Sequence, residues 1–398
     1  MSDARRSLSR PAAFWLLACL LASFLFAASA PSPLYSLYQA TWQFSPSTLT
    51  LIYAVYAFGA LAALLITGRV SDHVGRRRTT ALGLAIQIGG MFAFIRADAV
   101  EWLYAARIMQ GIGTGMATGA ISAWLLDLQP PDGRRLGGAV TGIALLAGLG
   151  LGGLGSSLLL EYGPDPLHLV FWLLTGVYTL ALIALAFLPD PVPRRPGWVR
   201  SLRPEIGVPP EARSSFAFAV PSLVAIWAMA GLYLSLGPSL AVSLLHAEGG
   251  IAGGLVIAAL LGAAAVASFL VRAAEPIETL VRGSLILIGG VGITLLAVAI
   301  GSIPVLYGGS VIAGLGLGPA FSSALRAVAP LAPPEKRGAL LAAIYVVVYL
   351  AFSVPTVVAG FAVPFFGLRY TTLAYGLIVI LLAAITTVAV ARGRRLSN

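Results

Sequence analysis

Twelve apolar runs, each close to the length that crosses a bilayer, constrain this chain more than any other feature. A spanning helix needs about 20 mostly apolar residues. Runs of that order are expected at 13–35, 47–67, 79–97, 102–126, 137–160, 168–188, 216–237, 250–272, 283–301, 304–327, 339–362 and 367–391. A transmembrane strand needs only about 10 residues, so runs of this length read as helices that satisfy their backbone groups internally. The sequence is 59% hydrophobic and only 10% charged, against roughly 25% charged in a soluble domain. A surface so poor in charge faces lipid. Gly and Pro interrupt many of the runs, which a bilayer tolerates because neighbouring helices re-satisfy the freed groups.

The few charges are placed asymmetrically. If the runs alternate in direction, 22 of the 25 Lys and Arg residues fall on or near one face, the exceptions being Arg96, Arg107 and Arg369. Basic loops stay on the cytoplasmic side. That face is therefore expected to be cytoplasmic and to carry both termini, basic at Arg5/Arg6 and at Arg392/Arg394/Arg395. The expected location is the plasma membrane of a bacterium (its inner membrane), crossed many times. The net charge of +10 is spread over these loops rather than gathered on one soluble face, which argues against nucleic acid as a partner. Arg5, Arg6 and Arg10, the apolar stretch from Phe14 to Phe26 and then Ala28-Ser29-Ala30 would also fit a cleaved signal peptide. The run continues to Tyr35, however, and an internal repeat needs it as the first helix.

One stretch differs in kind. Residues 189–215 carry seven prolines and five arginines, and proline blocks helix continuation. This is expected to be a cytoplasmic linker between an N-terminal six-helix bundle at 1–188 and a C-terminal six-helix bundle at 216–398. The halves are related in sequence. A shift of 203 positions brings Tyr104 onto Tyr307, and Gly111, Gly113 and Gly115 onto Gly314, Gly316 and Gly318. It also brings Pro130-Pro131 onto Pro333-Pro334 and Arg134 onto Arg337, and Pro33 corresponds to Pro238 at nearly the same offset. The expected fold is an all-α membrane protein of twelve transmembrane helices in two pseudo-symmetric six-helix bundles.

The densest charge cluster is Gly68 to Arg78, G-R-V-S-D-H-V-G-R-R-R, between the second and third runs. Three arginines alone would serve as a topological anchor. They explain neither Asp72 nor the spacing of Gly68 and Gly75. Asp72 is expected against the positive amino end of a nearby helix. Arg76 to Arg78 face an anionic leaflet, and Asp127, at the inner end of the fourth run, is the natural partner for Arg76. The pattern Gly-x-x-x-Asp-x-x-Gly-Arg-x-Arg resembles the signature loop after the second span of the major facilitator superfamily of transporters. His73 stands where that family usually has a basic residue, and the equivalent loop near Arg272 to Arg282 is degenerate. The resemblance implies a gating latch built from Gly68, Asp72, Gly75, Arg76, Arg78 and Asp127.

The fourth run reads Leu103-x-x-x-Arg107-x-x-Gln110-Gly111-x-Gly113 and is similar to that family's second signature. Arg107 is the one charge well inside a run. An arginine at mid-membrane costs about 3 kcal/mol, so it should face a cavity or bond to backbone, unless it snorkels to the interface. Spacings of three and four put Arg107, Gln110 and Gly111 on one helical face. In the fifth run Gly148, Gly152 and Gly153 fall where drug–proton antiporters carry Gly-Pro-x-x-Gly-Gly, but Leu149 replaces the proline. Plain small-residue helix packing is the competing reading.

Acids lie at the edges or in loops, including Asp72, Glu101, Asp127, Glu161 and Glu275. Proton coupling would use edge residues such as Asp72 or Asp127, or act indirectly through water at Arg107, or transport would be uncoupled. Cavity candidates are aromatic and hydroxylic, namely Tyr35, Tyr53, Tyr56, Gln87, Trp227, Tyr233, Ser239, Tyr345 and Tyr349, each of which would equally serve as packing; Tyr35, Tyr53, Trp227, Tyr233, Tyr345 and Tyr349 are the candidate substrate contacts. Such a cavity suits amphipathic, neutral or anionic solutes better than polycations. The lone Cys19 and the scattered His73, His168 and His246 offer no metal site, and no nucleophile–base constellation appears, so neither cofactor nor enzymatic activity is expected. The implied protein is a monomeric secondary transporter in the lipid bilayer. It would export small amphipathic molecules in exchange for protons, or alternatively take up a sugar or organic anion.

Overall fold

The computed structural model describes residues 8–130, 136–190, 196–247 and 249–396. Arg5, Arg6, Pro131 and Arg134 lie outside the described residues, as do the side chains of Pro334, Arg392, Arg394 and Arg395. Among the described residues the regular structure is entirely helical. The spanning helices are α1 Arg10–Ser29, α2 Pro46–Thr67, α3 Arg76–Ile95, α4 Val100–Leu128, α5 Leu136–Tyr162 and α6 Leu169–Ala184 in the first half. The second half begins with α7 Arg213–Ser235, α8 Ile251–Leu270, α9 Pro276–Ile300 and α10 Ile303–Val328. The final helical stretch, Arg337–Leu396, is broken at Gly367, whose φ of 76° and ψ of 159° are non-helical. It therefore supplies two spans, α11 at 337–366 and α12 at 368–396, which makes twelve among the described residues.

Differences from the expected runs have local causes. The first helix stops at Ser29 rather than continuing to 35, because Pro31 and Pro33 follow. The chain then makes a short helix, Tyr35–Trp42. Helix α9 starts at Pro276 rather than 283, with Glu275 accepting hydrogen bonds from the amides of Ile277 and Glu278. A carboxylate at that position caps the free N–H groups of the first turn.

The sequence repeat has a physical counterpart. A Cβ added at Gly111 or Gly115 of α4 would collide with the carbonyl oxygens of Tyr56 and Ala60 of α2. At the corresponding Gly314 and Gly318 of α10 it would collide with those of Leu260 and Ala264 of α8. The Tyr104 hydroxyl donates to Thr48 O at 3.5 Å, and Tyr307, its repeat mate, to Ala252 O at 3.2 Å. Each half thus uses small residues to bring one pair of helix backbones together, the way helices associate where no hydrophobic drive separates them from lipid.

The halves meet along two seams, α2 on α11 and α5 on α8. The seams are tight towards the face opposite the basic loops. There Gly153 packs on Ile257, Gly254 on Ser157, and Gly360 of α11 on Thr50 of α2. Towards the basic face, a side chain at Gly138 or Gly142 of α5 would meet nothing within 4 Å. The glycine contacts that join the halves thus lie towards one face, the closed face, and Gly138 and Gly142 towards the other have open space beside them.

Candidate functional site

Three features bear on function: the basic loop, a buried arginine centre and a small cavity where the halves meet.

The loop between α2 and α3 folds into a brace. Gly75 takes a φ of 103°, which favours glycine, and turns the chain from a short helix, Ser71–Val74, into α3. The turn places Arg76 among three partners. Its Nε lies 3.1 Å from Asp127 Oδ2, its Nη1 donates to Ser71 Oγ at 2.6 Å, and it pairs with Asp72 one turn back. Arg76 is 8% exposed, so these contacts are more shielded than surface pairs. The carboxylate on the amino end of α3 is Asp190, not Asp72. Asp190 Oδ2 accepts from the Arg77 amide at 3.4 Å. Asp72 is instead taken up by its neighbour four residues on, because the Gly75 turn leaves both on one side. Arg10 donates to Asp127 O at 3.0 Å, Arg77 Nη1 to Ala186 O at 3.4 Å, and Arg69 pairs with Glu205 of the linker. The loop therefore ties α4 and the end of α6 to the linker, and Arg10 joins α1 to α4 beside it. Gly68 continues the helix at φ −53°, and Arg78 is exposed.

The second half carries a counterpart with its basic group moved. Arg326, at the end of α10, donates to the carbonyls of Val271, Arg272 and Ala274 at 3.3, 2.9 and 2.8 Å. It caps the carboxyl end of α8, a favourable place for a cation. Where the first half brings an arginine from the loop to an acid on the helix, the second brings an arginine from the helix to the loop backbone.

Arg107 is completely buried. Its Nη1 donates to Ala28 O at 2.8 Å and to Gln110 Oε1. Gln110 Nε2 in turn donates to Ala27 O at 2.8 Å. These carbonyls belong to the last turn of α1. Pro31, four residues after Ala27, has no N–H to offer. Ser32, four after Ala28, donates to Ser29 O instead. The guanidinium carbon stands 4.7 Å from the Tyr53 ring and 4.4 Å from the Tyr56 ring, within cation–π reach. Tyr53 donates to Ser32, and Tyr35 stands edge-on to Tyr53 with ring centres 5.3 Å apart. Arg107, Gln110, Tyr35 and Tyr53 thus form one centre, while Gly111 lets α4 approach α2. Pro31 is the partner that sequence reasoning missed, although its four-residue offset from Ala27 was visible.

Between the halves lies a cavity of about 50 Å³ lined by Leu25, Tyr56, Leu145, Leu149, Trp227, Tyr345, Val348, Tyr349 and Phe352. Trp227, Tyr345 and Tyr349 are brought together there, with Tyr56 standing between the cavity and Arg107. Tyr233 is elsewhere: its hydroxyl bonds Thr294 and Ser310 within the second half at 3.2 and 2.9 Å. Gly148 and Gly152 seat α5 on α1 against Ala22 and Phe26, and Gly153 seats it on Ile257 of α8. The cavity walls carry no charged side chain. The volume holds waters but not a molecule that needs a cleft of about 300 Å³ or more, so a solute of that size enters only when the halves separate further.

A family model described as Major Facilitator Superfamily matches residues 16–302. Over 176 residues the chain is 28% identical to "Solute carrier family 2, facilitated glucose transporter member 9" of Homo sapiens, covering 41% of this chain and 33% of that protein. Over 150 residues it is 28% identical to "Multidrug resistance protein MdtL" of Klebsiella pneumoniae (strain 342), covering 36% of each. The aligned part thus spans about a third of these curated relatives. The fold is similar to that of a bacterial homologue of the human lysosomal transporter Spinster, with a TM-score of 0.73 at 14% identity, over 96% of this chain and 97% of that one.

Proposed function

The chain belongs to the Major Facilitator Superfamily, and from that premise we propose that it exports small amphipathic compounds by alternating access, in exchange for protons. The observation that carries this reading is the aromatic, uncharged cavity at the seam of two halves that pack together towards one face. Rings and aliphatic side chains favour apolar bodies, and the hydroxyls of Tyr56, Tyr345 and Tyr349 and the indole of Trp227 offer a few polar contacts. Rocking of the halves about such a cavity is how paired-bundle transporters alternate access. The Lys and Arg bias supports a cytoplasmic basic face in a bacterial inner membrane. The brace around Arg76 is the gating latch in this reading. Its edge acids, Asp72 and Asp127, are the groups through which protons would act. The protein acts as a monomer.

A second reading, uptake of a sugar or organic anion, draws on the similarity to a facilitated glucose transporter. Arg107 would then supply the counter-charge for an anion. The position of Arg107 weighs against that role: Nη1 is taken by Ala28 O and Gln110 Oε1, and Tyr56 stands between the guanidinium, whose buried Nε and Nη2 have no hydrogen-bond partner among the described residues, and the cavity. Accumulation of a fluorescent amphipathic dye in expressing cells, with and without an uncoupler, separates the readings. Export predicts lower dye content than in control cells, with the difference erased by the uncoupler. Dye content that expression does not lower overturns export. Expression-dependent gain of a labelled sugar or organic anion supports uptake instead.

A further inference from the structure

At the closed face, Glu161 is placed where it works against its own helix and in favour of the other half. It is the penultimate residue of α5 (Leu136–Tyr162). A negative charge there faces the partial negative charge of the α5 carboxyl end. Its carboxylate is instead taken by the second half: Oε2 accepts from the Gly250 amide, immediately before α8 (Ile251–Leu270). Gly249 adopts a φ of 84° next to this contact. The carboxylate therefore lies on the positive amino end of α8. The placement is unfavourable when α5 stands alone and favourable only when α5 and α8 meet at this face. Below the contact the seam continues through Ser157 against Gly254 and Gly153 against Ile257, so Glu161 stands at its outermost end.

We propose that Glu161 is a positioning residue for transport, a latch that holds the face opposite the basic loops closed by setting its charge on the amino end of α8. The latch rests on the alternating-access reading given above and adds to it the residue that biases which face is shut. A helix-end charge contact contributes enough to shift such a two-state balance about 3-fold.

The test uses the full chain in lipid nanodiscs, with Cys19→Ser and spin labels on Asp98 and Tyr370, both exposed near the closed face. The distance between labels reports opening. In the parent, one short and one long distance are expected, the short one dominant. Glu161→Gln keeps an acceptor oxygen but loses the charge, and should raise the ratio of long to short distance about 3-fold. Glu161→Lys should raise it further, and Glu161→Asp should restore the parent ratio. These shifts should appear in protein that remains monodisperse, which distinguishes latching from general destabilisation. Two populations whose ratio ignores all three variants overturn the latch and leave alternating access standing. A single distance in every variant, in protein that also fails to move dye in liposomes, overturns both.

Discussion

Ala27 and Ala28 would bond the amides of residues 31 and 32 if α1 ran on unbroken. Pro31 withdraws the first of those amides and the turn that follows withdraws the second. An orphaned buried carbonyl costs about 1–3 kcal/mol. Gln110 and Arg107 supply the missing donors from α4. On this account the second signature is first of all a staple between α1 and α4, and its polarity answers a proline two residues past the end of a neighbouring helix. A double-mutant cycle tests the link. Gln110→Leu alone should lower stability by about 1–3 kcal/mol, by leaving Ala27 O without a donor. In a Pro31→Ala background, where residue 31 regains its N–H, the same change should cost about 1 kcal/mol less. Denaturant-induced unfolding in detergent measures both. Equal costs in the two backgrounds would show that Gln110 does not answer the proline.

At the level of helices, Gly115 and Gly318 perform one task twice. Each brings the fourth or tenth helix against a backbone carbonyl, Ala60 O or Ala264 O, and a carbonyl cannot rotate away as a side-chain tip can. Gly115→Ala and Gly318→Ala should each cost about 1–3 kcal/mol through overpacking. Gly138→Ala, in open space on α5, should be neutral or stabilise by up to about 1 kcal/mol through helix propensity. Half-loss temperatures of monodisperse protein rank the three, and a Gly318→Ala protein as stable as the parent would break the equivalence of the halves. This repeat was legible in the sequence, because glycine spacing is the packing itself. So were the number of spans and the meeting of Arg76 with Asp127, since long apolar runs and lone charges leave few alternatives. Asp190 on α3 and Arg326 on α8 were not legible. Both act through backbone amides or carbonyls of segments distant in sequence, and backbone groups leave no residue-type signal. The pairing of Asp72 with Arg76, rather than with helix-end amides, was not legible for a related reason: the φ of Gly75, which sets where the acid lies, is not written in residue types alone.

For the whole molecule, the question is whether the closed face must open during transport. Two seams hold it, and in the α2–α11 seam Thr50 lies against Gly360. The position a Cβ would take at Gly360 lies 2.8 Å from Thr50 Cβ, and disulfide-bonded residues have Cβ atoms about 3.8 Å apart. A small backbone shift is enough to admit the bond, and the shift relieves crowding rather than adding to it. Thr50→Cys with Gly360→Cys, in a Cys19→Ser background, should therefore cross-link on mild oxidation. If the halves rock about the central cavity, the bond pins one of the two faces shut. Dye movement should then fall to the background rate on oxidation and return on reduction, while either single variant ignores the oxidant. Binding of the dye from the basic face should survive, because a bond at the opposite face leaves the halves free to separate further there. Full transport by fully cross-linked protein would mean that solute leaves without opening this seam, and the rocking of the two halves would have to be given up.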